Sequence, residues 1–341
     1  MDEVYISIAI AALISFTFTY LLVPYFNRFC IASGIVGRDI MKRDRKPVAD
    51  MGGPGVISGF LIGVFFYIGM RIFMFKEVPD LIYLLASIST ILIITLIGIF
   101  DVLTSLMMQR EGTGLFERMK RKGIPNWVYY LVPLPAAVPL AAIKAGVSTM
   151  VLPLVGEVEF GLTYPLVLIP LAVLCCSNAT NFYAGFNGLE AGMGFVLHAS
   201  LGFFAIMNDR PAAALIAFTF AAALIAFLRY NWYPAEVFPG DLNYTIGATC
   251  VCIAVIGNME RFAILCFMPW VIEALLKATS KFTAENYGVL QEDGTVKPLY
   301  DQIYSMTHII MKLRRFKEYE VSLILIALEM IICLVSYVLV G

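Results

Sequence analysis

The chain has 341 residues, 60% of them hydrophobic and only 14% charged, with a mean hydropathy of +0.84. That balance excludes an ordinary soluble domain and predicts a polytopic membrane protein, with no nucleic-acid partner expected. The net charge of −1 matters less than where the basic residues fall.

Apolar runs long enough to span a bilayer, or nearly so, fall at 4–26, 54–75, 81–100, 127–143, 164–177, 189–207, 211–228, 242–257, 262–276 and 321–340. The expectation is an all-α fold of about ten transmembrane helices, one integral membrane domain over residues 1–341. The first run lacks a basic leader and reads as a span rather than a cleaved signal. Seven cysteines sit mostly inside these runs without metal-ligand spacing, so they read as small buried hydrophobes. With the N-terminus outside, the loops that face the cytoplasm carry 19 of the 24 Lys and Arg residues. The positive-inside rule therefore puts both termini outside and every polar motif on the cytoplasmic face.

The first such loop, GIVGRDIMKRDRKPVADMGGPGVISG, joins a basic cluster to Gly52, Gly53, Pro54 and Gly55. It reads either as topology-setting charge with a helix start, or as a basic rim for an anionic substrate. The third run ends in IGIFDVLTS. Asp101, at the negative end of that helix, calls for a cation, a metal or a lysine, unless it is simply solvated at the interface. The following loop, REGTGLFERMKRKGIPNW, sets Leu115, Phe116 and Met119 among Arg118, Lys120, Arg121 and Lys122. That is the pattern of an interfacial helix.

NATNFYAGFNGLEAG, residues 178–192, is the densest polar motif. Asn178 and Asn181 lie one helical turn apart, so their amides are expected to meet at one spot. Gly185 and Gly188 allow a turn and close approach of a ligand before the next helix begins near Leu189. His198, alone in an apolar helix, reads as a core residue. In RYNWYPAEVFPGDLNYTIG, Asp241 follows Pro239 and Gly240 and is placed either as a helix N-cap or as a ligand. Within the insertion 278–320, Asp293-Gly294 predicts a tight hairpin, and Leu299, Ile303, Met306 and Ile310 predict an amphipathic helix on the membrane.

Taken together, RDRKP, MGG, GVISG, IGIFDV, NATNFYAGFNGLEAG and NWYPAEVFPGD resemble the polyprenyl-phosphate N-acetylhexosamine-1-phosphate transferase superfamily, in its eukaryotic and archaeal dolichyl-phosphate branch. Ala184 stands where the bacterial branch usually has an acidic residue. The resemblance implies transfer of GlcNAc-1-phosphate from UDP-GlcNAc to dolichyl or another polyprenyl phosphate, the first step of N-glycan assembly. By motif, Asn181 and Asp241 would ligate Mg²⁺, with Mn²⁺ as a substitute, and Asn187 would read the uracil. Asn178 and Glu190 would line the same pocket, and Asp101 would stay near the lipid phosphate or the metal. The setting implied is a cell membrane with a cytoplasmic active site, or the endoplasmic reticulum in a eukaryote; a homodimer is compatible. Two departures stand out. The family's paired aspartates appear as Phe100-Asp101, and its following lysine has only Lys122 as a candidate. Lys277 and Lys281 are the candidates for phosphate-binding charge in the last loop. The rival readings are a transferase for another UDP-N-acetylhexosamine or polyprenol, and a transporter of nucleotide-linked or lipid-linked sugar. A transporter calls for polar groups at mid-membrane, which the spans largely lack.

Overall fold

The computed structural model describes residues 2–44, 46–77, 80–110, 130–152, 156–240 and 242–340. The chain opens with α1 (Asp2–Ser33), a hairpin of β1 (Val36–Arg38) and β2 (Pro47–Ala49), α2 (Gly53–Met70) with a π-helical turn Arg71–Phe75, and α3 (Leu81–Arg110). A short α4 (Val138–Ala142) and a hairpin of β3 (Thr149–Leu152) and β4 (Gly156–Glu159) lead to α5 (Ile169–Phe182), α6 (Leu189–Met207) and α7 (Pro211–Asn231). Next come α8 (Leu242–Gly257), α9 (Glu260–Cys266) and α10 (Met268–Thr279). A hairpin of β5 (Gly288–Leu290) and β6 (Val296–Pro298), then α11 (Met306–Leu313) and α12 (Glu318–Val340), complete the chain. Pro54, Pro211 and Pro269 each lie in the first turn of their helix, where no backbone donor is lost.

Among the described residues seven helices are long and apolar enough to cross a membrane, and α9 with α10, bent by 58°, make an eighth if they act as one span. The 16-residue α8 is buried along almost its whole length, packed against α3, α5 and α7. Of the expected fourth span, the described part is no continuous helix: a turn and a 3₁₀ segment Leu134–Ala137 precede the five-residue α4. Pro133, Pro135 and Pro139 remove donors and break the ladder there. The segment still runs from one end of the bundle to the other. Its Tyr130 carbonyl meets Asn178 near the end of α5, and its Gly146 packs on Tyr164, which begins the same run.

The two ends differ in content. Tyr5 donates to Asp209 at 2.9 Å, and Val340 shares a cavity with Asn208 and Gly257, so both chain termini lie at one end. The polar motifs gather at the other. There the Asp293-Gly294 hairpin forms as expected, Gly294 taking φ +83° and Asp293 accepting from the Thr295 amide. The helix after it starts later than the periodicity suggests, at Ser305, whose hydroxyl caps the Thr307 amide. Its buried face, including Met306, Ile310 and Met311, packs against β6 and α12.

One close helix contact is α1 on α2. Gly55, Gly59 and Gly63 recur every fourth residue, and a Cβ on Gly59 would stand 2.0 Å from Thr19 Oγ1 and 2.6 Å from its backbone nitrogen. His198 is fully buried, bonded to the Gly194 carbonyl and edge-on to Phe220, as a core histidine should be. Glu329, unremarked in the sequence, is fully buried within α12 and accepts from Cys333 Sγ at 3.5 Å. Gly59→Val is expected to cost about 1–3 kcal/mol by overpacking, whereas Gly69→Val, with open space around it, should melt near wild type. Thermal unfolding of the two variants in detergent checks this.

Candidate active site

Three loops far apart in sequence close one cavity of about 850 Å³ at the polar end of the bundle. The first is the β1–β2 region with Arg38 and Asp50, the second the α5–α6 turn with Gly185, Asn187 and Glu190, and the third the α7–α8 connection with Phe238, Gly240 and Asn243. Backbone pairing joins the first to the third. The Phe238 amide donates to Ala49 at 2.7 Å and the Gly52 amide to the Phe238 carbonyl at 3.0 Å. Gly52 is required at this seam because a Cβ there would sit 2.6 Å from the Phe227 ring. Phe186, Phe238 and Tyr287 give the cavity aromatic walls.

The α5–α6 turn is built as its glycines predict. Gly185 has φ +141° beneath Tyr287, and Gly188 has φ +77° beneath Trp232, where a Cβ would meet the ring at 2.5 Å. Glu190, in the first turn of α6, accepts from the Gly185 amide through Oε1 at 2.8 Å and so braces the turn. Its Oε2 is buried with no hydrogen-bond partner among the described residues, as are Asn243 Oδ1 and Asn231 Oδ1 beside the cavity. Buried oxygens left in this state cost about 1–3 kcal/mol each, which a bound donor or cation would recover.

Asn187 is 4% exposed and held on every side: its Nδ2 donates to Asp39 at 2.9 Å, its amide to Glu318 at 3.0 Å, and its carbonyl accepts from Ser322 at 3.0 Å. Lys42 stands between Asp39 and Glu318, at 3.2 and 2.5 Å, and over the Tyr233 ring at 3.8 Å.

Asn178 and Asn181 do not converge as their spacing suggests. The Asn178 amide donates to the Tyr130 and Leu174 carbonyls at 2.9 and 2.8 Å, a structural tie to the neighbouring segment. Asn181 turns the other way and donates to Tyr244 Oη at 3.0 Å, which in turn donates to Asp101 Oδ2 at 3.4 Å. The expected helix end at Asp101 is also corrected. α3 runs on to Arg110, so Asp101 lies inside the helix rather than at its C-terminal end. Phe100 beside it is 66% exposed. Lys277 is buried and donates to the Ala284 carbonyl, securing the loop after α10 rather than lining the cavity. Lys281 is exposed, at φ +56°. Asp241 and Lys122 lie outside the described residues. Tyr244, Asp39 and Glu318 are the residues sequence reading missed. Tyr244 alone carried a signal, three residues after Asp241 at the start of α8.

The sequence profile described as Glycosyl transferase family 4 matches residues 83–258. The chain is also 32% identical over 339 residues to a protein of Saccharolobus solfataricus, an alignment covering 98% of this chain and 97% of that one. This chain belongs to glycosyl transferase family 4. Two further relatives are similar: one of Sulfolobus acidocaldarius at 26% over 340 residues (98% of this chain, 96% of that one) and one of Dictyostelium discoideum at 25% over 304 residues (77% and 70%). The Dictyostelium protein is named UDP-N-acetylglucosamine–dolichyl-phosphate N-acetylglucosaminephosphotransferase, and both archaeal relatives carry that name provisionally. The match to the family profile spans Asp101, the α5–α6 turn and the start of α8, which supply much of the site.

Burial pushes the Asp50 carboxyl up to about 6 from an ordinary 3.8. A carboxyl raised in the folded state favours folding when protonated, so its contribution is full below about pH 4, is lost as pH rises to about 6, and is flat above. Wild type should therefore lose roughly 2–3 kcal/mol relative to Asp50→Asn across that window. Melting curves of both proteins between pH 4 and 7 provide the check; parallel curves would show Asp50 to be solvated.

Proposed function

We propose that this protein is an Mg²⁺-dependent transferase that moves GlcNAc-1-phosphate from UDP-GlcNAc to dolichyl phosphate, releasing UMP. The reaction is that of the first step of lipid-linked glycan assembly. The observation that carries the reading is that motifs about 150 residues apart close on one cavity with both polar and aromatic walls, in a chain whose relatives of nearly equal length are named for this reaction.

A phosphate oxygen of the membrane-held lipid attacks the β-phosphorus, the bond from that phosphorus to the bridging oxygen breaks, and UMP departs with the electron pair. The acceptor is already an anion near neutral pH, so the protein's work is alignment and charge neutralisation. The aromatic walls and Asn187 hold the uridine, while Glu190 keeps the Gly185 turn rigid against it. The donor set suits a hard cation: the unpartnered Asn243 Oδ1 and Glu190 Oε2 belong to cavity-lining residues, and Asn181, which is not one of them, carries a further amide oxygen on the neighbouring helix end. Among the described residues no three acidic, histidine or cysteine groups converge as a metal cage, so Asp241 and Asn181 would share Mg²⁺ with the diphosphate. Bound there, Mg²⁺ would neutralise charge on the phosphates. Tyr244, between Asn181 and Asp101, fixes the orientation of both, and Asp101 acts as a positioning residue. Lys122 and Lys281 are the further cations we assign to the phosphates.

For topology we propose ten crossings, with both termini outside, the site facing the cytoplasm of an archaeal cell membrane, and residues 278–320 as a cytoplasmic insertion. The grouping of both termini at one end and the motifs at the other supports it, as does the placing of 19 of 24 Lys and Arg residues in the motif-side loops.

Purified protein in detergent should release UMP from UDP-GlcNAc only when dolichyl phosphate and Mg²⁺ are both present. Binding of UDP-GlcNAc without UMP release would favour the transport reading. Asp241→Ala should abolish turnover. Asp101→Asn should lower kcat by about tenfold, less than the 10²–10⁴ expected for loss of a general base, with an unchanged pH profile; a larger loss with a shifted profile would make Asp101 the base.

A further inference from the structure

We propose that Asp39 is the residue that sets base specificity, by fixing which face of the Asn187 amide looks into the cavity. The inference rests on the nucleotide-binding reading given above and adds to it a residue outside the central motif. A primary amide presents an oxygen acceptor on one side and an NH₂ donor on the other, and a half-turn exchanges them. Asn187 alone would be ambiguous. Asp39 removes the ambiguity, because a carboxylate paired with Lys42 accepts only, and it lies 2.9 Å from Asn187 Nδ2. The NH₂ is thereby committed to Asp39, and Oδ1 becomes the group offered to a ligand in the cavity that Asn187 lines.

An acceptor set opposite ring position N3 selects a base that carries a donor at N3. The N3–H of a 2,4-dioxopyrimidine supplies one, whereas N3 of cytosine is itself an acceptor and would face Oδ1 with like polarity. The rest of the Asn187 surroundings hold the residue still without choosing the face: Glu318 and Ser322 bind its backbone. Asp39 is therefore separable from its neighbours by experiment. Removing charge at Glu318 disturbs the same ion pair, but leaves the Asp39 bond to Nδ2 in place.

The test is calorimetric titration of the full-length protein in detergent with UDP and with CDP. Wild type is expected to bind UDP at least tenfold more tightly than CDP, and to bind N3-methyl-UDP as weakly as CDP. Asp39→Asn, an isostere whose amide offers either a donor or an acceptor to Asn187, should reduce the UDP/CDP ratio by about tenfold. Glu318→Gln should lower affinity for both nucleotides while keeping the ratio at the wild-type value. A merely structural role for Asp39 would lower both affinities and spare the ratio, and that result would overturn the proposal. So would tight binding of N3-methyl-UDP by wild type, a result that needs no variant to fold. Wild type that binds UDP and CDP equally refutes the inference alone. Wild type that binds neither UDP nor UDP-GlcNAc refutes the transferase reading beneath it.

Discussion

Lys42 carries one positive charge between two buried carboxylates, Asp39 and Glu318, which are 7% and 2% exposed. Taking such charges out of water costs several kcal/mol per ion, and removing one partner leaves the others uncompensated. The arrangement is tolerable because each carboxylate has further donors: Asn187 donates to both, and the Met41 amide donates to Asp39 at 3.3 Å. The first loop, the central turn and the start of α12 are thus tied at a single point, although 131 and 148 residues separate the bonded pairs. The central turn is held further by Glu190 and by Asn286, whose amide donates to the Phe182 and Ala184 carbonyls at 2.7 and 2.8 Å.

The same logic of forced satisfaction runs through the polar end of the bundle. Asn178 gives up its amide to a carbonyl of the broken segment 130–146, a bond that a proline-rich stretch lacking its own ladder needs more than a ligand does. Lys277 gives up its ammonium to the loop after α10. Glu190 Oε2, Asn231 Oδ1 and Asn243 Oδ1, all on cavity-lining residues, are among the buried oxygens left without a hydrogen-bond partner among the described residues. Three such oxygens around one cavity are placed to receive a polyvalent ligand. Phosphoryl transfer asks mainly for that, since alignment and charge neutralisation supply most of its rate.

Much of this was legible in the chain. Long apolar runs gave the membrane helices, Asp293-Gly294 gave its hairpin, and Gly185 and Gly188 marked the turn beneath Tyr287 and Trp232. Each signal is local, carried by a few neighbouring residues. The failures share the opposite property. Prolines 133, 135 and 139 interrupt an apolar run whose hydropathy looks like a helix. Asn178 and Asn181 diverge because their partners come from other helices, which spacing cannot reveal. Asp39 and Glu318 carry no signal of their own along the chain, and only the fold brings them to Asn187. Tyr244 joins Asp101 to Asn181 across three helices, a relation invisible along any one of them.

The central claim is that the sugar leaves the nucleotide together with its own phosphate. Following phosphorus label from UDP-GlcNAc marked separately at the α- and β-positions tests it most directly, with lipid and water extracted after turnover. Transfer of GlcNAc-1-phosphate puts β-label in the lipid fraction and α-label in water as UMP. If the β-label stays in water, or the α-label appears in the lipid, the phosphorus under attack has been misassigned and the transfer mechanism fails.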